Sequence, residues 1–251
     1  YDYRMEKQQI LYLNNLMRRV LEGNVGQPCE LSDGTVEYLY MDLYSVRMNT
    51  TCSVPNNPDL FHCIRYYVYF DMIDPDCNAD HLLTIYKQVS APRLKWLIYK
   101  RLKSLKATLD IDLPTDVVES TYLADFQKLR KLHSVPAFIN ESETVNIVPS
   151  LLQVSSDYFS TVFSNRWNAE IIRLHLVGTD EDSYNRLSTE MKASMTASLR
   201  IIMNYFHLAE LSVDHNALTI LHICKAMRLH DDNLVKTCLE KVKSSLEHDN
   251  I

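Results

Sequence analysis

The residues of this 251-residue chain with the most chemical potential are its nine His, six Cys and four Gly. His215 and His222 lie seven apart, could share a helix face, and have Cys224 close by. No third ligand has the spacing zinc needs, so both read as helix-surface or cap histidines. Gly23, Gly26, Gly34 and Gly178 form no G-x-G and no G-x-x-x-x-G-K. The dinucleotide fingerprint and the P-loop therefore cannot be written. Ser, His and Asp are plentiful, but no G-x-S-x-G elbow exposes a serine nucleophile. Cys29, Cys52, Cys63, Cys77, Cys224 and Cys238 include no C-x-x-C pair. They read as reduced, mostly buried thiols that behave as small hydrophobes. The expectation is a protein that is not an enzyme, with no cofactor and no metal.

Charge narrows the partners. Lys and Arg number 26 and Asp and Glu 32, a net charge of −6. That argues against a broad basic face for phosphate backbones, so no nucleic acid is expected. One run departs from the acidic background: Arg93, Lys95, Lys100, Arg101, Lys103 and Lys106, interleaved with Trp96 and Tyr99. It could touch RNA or an acidic peptide. Its simpler reading is the solvated face of a helix that buries Leu94, Leu97, Ile98, Leu102 and Leu105. Tyr66, Tyr67, Tyr69 and Phe70 read as core with one wet edge. The sequons Asn49-Thr50-Thr51 and Asn140-Glu141-Ser142 are short enough to arise by chance. No run of about 18 apolar residues exists, so no membrane partner is expected. A cytoplasmic or nuclear location fits the cysteine reading.

Helical periodicity is the strongest structural signal. From Asp116 the chain presents Val118, Tyr122, Phe126, Leu129 and Leu132 on one helix face. Asp116 and Glu119 look like an N-cap and its capping-box partner. Residues 150–163, 216–229 and 233–246 repeat the helical pattern, the first with Ser150 as cap. Ile171–Val177 alternates as a half-buried strand. Val135–Ile139 and Val145–Val148 flank a polar stretch and read as a hairpin. Residues 36–46 are apolar on both faces and read as a buried strand. Asn49–Pro58 reads as a loop, and 178–196 as an inserted loop with one helical turn.

The chain also repeats itself. Residues 61–92 align without a gap on 199–230, at a constant offset of 138. Phe61 meets Leu199, Ile64 meets Ile202, Tyr67 meets Tyr205, Asp76 meets Asp214 and Asn78-Ala79 meets Asn216-Ala217. Beyond a two-residue insertion, Leu94 meets Leu234 and Lys103-Ser104 meets Lys243-Ser244. Apolar matches alone would be weak, because amphipathic helices share a period. The matched Tyr, Asp and Asn-Ala make a duplication the better account.

In its second half the chain runs helix 116–132, hairpin 135–148, a helix with Ser156-Asp157-Tyr158-Phe159, strand 171–177, a helix ending in Asn204-Tyr205-Phe206, then the helix pair 216–246 with Cys238. This order resembles the BTB/POZ fold, with its opening helix, hairpin, Ser-x-Tyr/Phe-Phe helix, third strand and closing helices. The first copy matches from about 36 to 105, with Tyr67-Val68-Tyr69 as the family's Tyr-x-Tyr. Residues 5–22 take the place of the signature helix without its signature, so the opening helix and hairpin are expected to be missing or altered. The expected fold class is α+β, mostly helical, built as two BTB/POZ-like units, each a small sheet capped by helices. The expected domains are 1–110, divergent, and 111–251.

The resemblance implies a non-enzymatic protein–protein interaction module, an adaptor for a cullin ubiquitin ligase. The alternative is an assembly scaffold without cullin binding. Cullin-binding members carry a hydrophobic-x-Glu triplet, but here the equivalents are Trp167, Asn168 and Ala169, with Glu170 one residue late. In the first copy they would be Val25, Gly26 and Gln27. Partners are expected to be proteins, including a cullin, and the copies to pair either as a homodimer or as an intramolecular pseudo-dimer. Val118, Tyr122, Phe126 and Leu129 are the candidate seam, offered to the other copy or to a second chain. Asn165, Trp167, Tyr205 and His207 are the candidate docking residues.

Overall fold

Gly26 occupies a backbone position with φ +135, and a Cβ there would stand 2.3 Å from the Leu39 carbonyl oxygen. Only glycine lets the chain pass so close to its own second strand. That close approach opens a hairpin, β1 (Gln27–Glu30) against β2 (Val36–Leu39), which sequence patterning read only as part of a longer strand. The computed structural model describes residues 2–48, 53–106, 116–139, 143–163, 186–213, 216–229 and 231–248. Around the hairpin lie α1 (Asp2–Glu22), α2 (Met41–Met48), α3 (Pro58–Phe70), α4 (Ala79–Gln88) and α5 (Pro92–Ser104). Then follow α6 (Tyr122–His133), β3 (Val135–Phe138), β4 (Thr144–Ile147), α7 (Pro149–Ser155) and α8 (Asp157–Val162). α9 (Thr189–Leu208), α10 (Ala217–Ala226) and α11 (Asp232–His248) complete the described chain. Among the described residues the fold is α+β and mostly helical, with two small antiparallel two-stranded sheets.

The two hairpins share one design. Gln27 faces Leu39 and Glu30 faces Val36; Val135 faces Ile147 and Phe138 faces Thr144. Each opening strand carries a proline at its second position, Pro28 and Pro136, which can give no ladder hydrogen bond from its nitrogen. The connections close alike: Leu31 N–H donates to Thr35 C=O at 2.9 Å, and Ile139 N–H to Glu143 C=O at 2.8 Å. All four strand bounds recur at an offset of 108.

The helices recur too. α4 and α10 are related by 138 at both ends, and α3 and α9 end at the matching Phe70 and Leu208. Both of the latter stop on a left-handed residue, Asp71 and Ala209, each with φ 54. Asn78 caps α4 by accepting from His81 N–H at 2.9 Å. Buried positions correspond as well: Tyr67 with Tyr205, Ile85 with Ile223, Leu94 with Leu234. The change of offset from 108 to 138 places extra chain in the second half between α7 and the end of α9.

Packing divides the chain into two compact units, Leu13–Leu132 and Tyr1–Tyr12 with His133–Ile251. The expected domains follow the repeat; these units follow the contacts. α6, which opens the second copy, lies in the unit of the first. Residues up to Tyr12 lie in the unit of the second. The core of that second unit gathers Ile147, Phe159, Ile202, Phe206, Ile220 and Cys238.

Several expectations are corrected. Ahead of α2 the first copy has the helix α1 and the hairpin β1–β2, and residues 36–46 are not one strand: the chain turns helical at Met41. Val25 and Gly26 follow α1, and Gln27 opens β1. Asp116 does not cap a helix. α6 starts at Tyr122, whose N–H donates to Ser120 Oγ at 3.2 Å. Ser156, not Ser150, acts as the cap in 149–163, accepting from Phe159 N–H between two short helices. Residues 189–196, read as loop, are the first turns of α9. Cys63 and Cys77 form a disulfide with Cα atoms 6.4 Å apart, where reduced thiols were expected. Strand 171–177 and both sequons fall on or run into residues outside those described.

Candidate interaction sites

The seam stripe is built on α6. Tyr122, Phe126 and Leu129 are each at most 1% exposed, and Val118 is half-buried. The Tyr122 hydroxyl donates to the Tyr69 carbonyl, and its ring meets Phe126 edge-on with centroids 5.1 Å apart. The Val118 carbonyl accepts from Arg93 Nη1. All four residues are therefore brought together within Leu13–Leu132, against residues that the repeat assigns to the first copy. Tyr122, Phe126 and Leu129 are covered in this way, whereas Val118 is half-buried and Leu132, on the same face, is exposed.

Beside it lies a polar cluster that sequence patterning missed. The Arg47 side chain is fully buried and pairs with Asp71, and with Asp125 at 3.3 Å. Its guanidinium lies 4.6 Å from the Tyr67 ring centroid and 4.8 Å from that of Tyr122. Asp71 also accepts from Arg93 Nη2 at 3.0 Å and from Ser120 Oγ at 2.7 Å. Two cations thus meet two carboxylates, which is the condition for burying charge at tolerable cost. Among the described residues neither Arg47 Nε nor Nη1 finds a hydrogen-bond acceptor. Burial pushes Asp125 above the usual carboxylate range, against the pull of Arg47. Burial also raises the Tyr67, Tyr69 and Tyr122 hydroxyls. With both carboxylates engaged by guanidinium groups, the cluster clamps the end of α3 to the start of α6. The only advance signal was an Arg and an Asp, Arg47 and Asp71, inside otherwise apolar stretches.

Tyr205 and His207, expected to dock a partner, are 2% and 1% exposed. Both belong to the core, because α9 ends where it is packed on every side. The Tyr205 hydroxyl donates to Asp231 Oδ1 at 2.7 Å and accepts from Asn233 Nδ2 at 3.3 Å. His207 Nε2 accepts from Val148 N–H at 2.8 Å, while Nδ1 lies 2.6 Å from the Met203 carbonyl. Those partners define the neutral tautomer with the proton on Nδ1. In the first copy Tyr40 N–H donates to the Tyr69 hydroxyl at 2.9 Å. Tyr69 and His207 are related by 138, so two different side chains receive the backbone N–H that ends each hairpin. Asn165 and Trp167 lie outside the described residues.

Other candidates resolve simply. His222 is exposed on α10, and His215 lies outside the described residues. Among the described residues no group of three or more His, Cys, Asp and Glu could hold a metal ion. Burial pushes the Cys224 thiol up to about 12, and raises Cys238 as well. Neither is a thiolate nucleophile at neutral pH. No helix among the described residues is long and apolar enough to cross a membrane.

On α5 the predicted basic face is present. Leu94, Ile98 and Leu102 are buried; Lys100 and Lys103 are exposed, as is Lys106 just beyond the helix. Trp96 and Tyr99 are half-buried between them. Arg93 and Lys100 both lie over the Trp96 ring, at 4.9 and 4.7 Å from its centroid. Comparison of the sequence with protein-family models gave no match, and neither did comparison with curated proteins.

Proposed function

We propose that this chain is a non-enzymatic protein–protein interaction module of the BTB/POZ type, an adaptor that holds partners in position for a cullin ubiquitin ligase. The observation that carries the reading is the order of helix, hairpin, signature-bearing helix and closing helices in the second copy, part of the order by which the sequence resembles that family. Small domains of this kind gain stability by burying an amphipathic opening helix against a second copy. At about 25 cal/mol per Å² one such helix contributes several kcal/mol before entropy is subtracted. Here α6 buries its stripe within the same chain, which supports the pseudo-dimer over the homodimer.

A second reading has its own observation. The acid of the cullin-type triplet is out of register in the second copy, where Ala169 precedes Glu170. That favours an assembly scaffold without cullin binding. Size exclusion of the purified chain with a cullin N-terminal domain separates the two. Co-elution is expected for the adaptor; separate elution, with binding to other proteins retained, leaves the scaffold.

A further inference from the structure

We propose that the outer face of α5 is a docking surface for an acidic segment of a partner protein. Between Val89 and Lys106 the chain carries six basic residues and no acidic one, against a net charge of −6 for the whole. Part of that excess has local work. Arg93 pairs with Asp71, Lys95 lies over the Tyr86 ring, and Arg101 donates to the Pro75 carbonyl. Basic groups in the last turn of a helix also complement its dipole.

That leaves Lys100, whose ammonium lies over the Trp96 ring, with Lys103 and Lys106. All three are exposed, and among the described residues no carboxylate pairs with any of them. With Trp96 and Tyr99, residue types enriched at interfaces, they make a face of cations around half-buried aromatics. The duplicate helix shows that the fold does not require this. At the position matching Lys100, α11 carries Glu240, which lies 3.9 Å from Lys236. The helix-dipole and solubility needs of a closing helix are thus met there with mixed charge. Only the first copy has gathered one sign.

The partner is read from the same residues. Single-stranded nucleic acid would need open aromatic faces on which bases stack. The Trp96 ring is already engaged by Arg93 and Lys100. A short carboxylate-rich polypeptide needs only exposed ammonium groups beside apolar area. From Trp96 to Lys106 the face runs about 15 Å, which an extended segment of about five residues spans. This inference stands apart from the cullin reading and survives its failure.

The test uses the full chain and fluorescence anisotropy with a labelled oligoglutamate of about ten residues, at about 50 and 150 mM salt. Oligouridylate of similar charge is the competing probe. Binding of oligoglutamate is expected, weaker at the higher salt. Lys100→Glu with Lys103→Glu should weaken it at least about tenfold. Lys100→Gln with Lys103→Gln should weaken it less, and Lys241→Glu with Lys243→Glu on α11 should leave it unchanged. Circular dichroism verifies folding, and the Gln pair decides the matter if the Glu pair fails to fold. The proposal is overturned by no binding at the lower salt, by equal binding to the α5 variants, by equal loss in the α11 variant, or by preference for oligouridylate.

Discussion

Asp125 shows how a single buried group can set a pH dependence. Its carboxylate faces Arg47 and accepts from Thr121 Oγ1 at 2.8 Å, yet burial raises its pKa in the folded state. A raised carboxylate pKa means the folded state prefers the neutral acid. The stability this contributes is complete below the ordinary value of about 4 and is lost as pH rises through the raised value. Asp125→Asn imitates the neutral acid and removes that loss. Its urea midpoint relative to the parent should therefore climb as pH rises above about 4. A gap that narrows with rising pH would show that the attraction of Arg47 outweighs burial. Arg47 itself was not legible in advance. Its neighbours Val46 and Met48 are buried, and a charge between two buried residues finds its partners only from other elements.

At the scale of elements, each hairpin is tied to the helix that ends beside it. Tyr69 and His207 accept the N–H of Tyr40 and Val148, at the points where α2 and α7 begin. Tyr69→Phe removes the acceptor and leaves a buried donor unpaired, at a cost of about 1–3 kcal/mol. His207→Leu should cost a similar amount in the other copy. Equilibrium denaturation measures both losses, and amide exchange at Tyr40 and Val148 should quicken in the corresponding variant. Protection left unchanged at those amides would deny the contact its role. The second hairpin was readable because Val135–Ile139 and Val145–Val148 flank an uninterrupted polar stretch. The first was hidden because Tyr38, Tyr40, Leu43 and Tyr44 keep an apolar pattern running through the strand-to-helix change at Met41. Periodicity cannot mark a boundary where both elements are buried on the same side.

Across the molecule, the repeat and the packing cut the chain at different places. The repeat divides the chain near residue 110, whereas α6 lies with Leu13–Leu132. Phe126 is 1% exposed within that unit, so Phe126→Asp places an unpaired charge in its core. Truncation of a buried phenylalanine alone costs about 3–5 kcal/mol. The variant should therefore lose amide-exchange protection throughout Leu13–Leu132, while Ile202 and Ile220 in the other unit stay protected. If the stripe served a second chain instead, light scattering of the parent would show a dimer and the variant a folded monomer.

The amino-acid order alone was enough for the amphipathic helices, the second hairpin, the duplication at 138 and the basic run on α5, because each is written in neighbours along the chain. The Arg47 cluster, the burial of Tyr205 and His207, the pairing of Cys63 with Cys77 and the enclosure of the α6 stripe were settled by tertiary structure. Burial and charge pairing depend on which distant surface arrives opposite a residue, and spacing along one helix carries no record of that arrival.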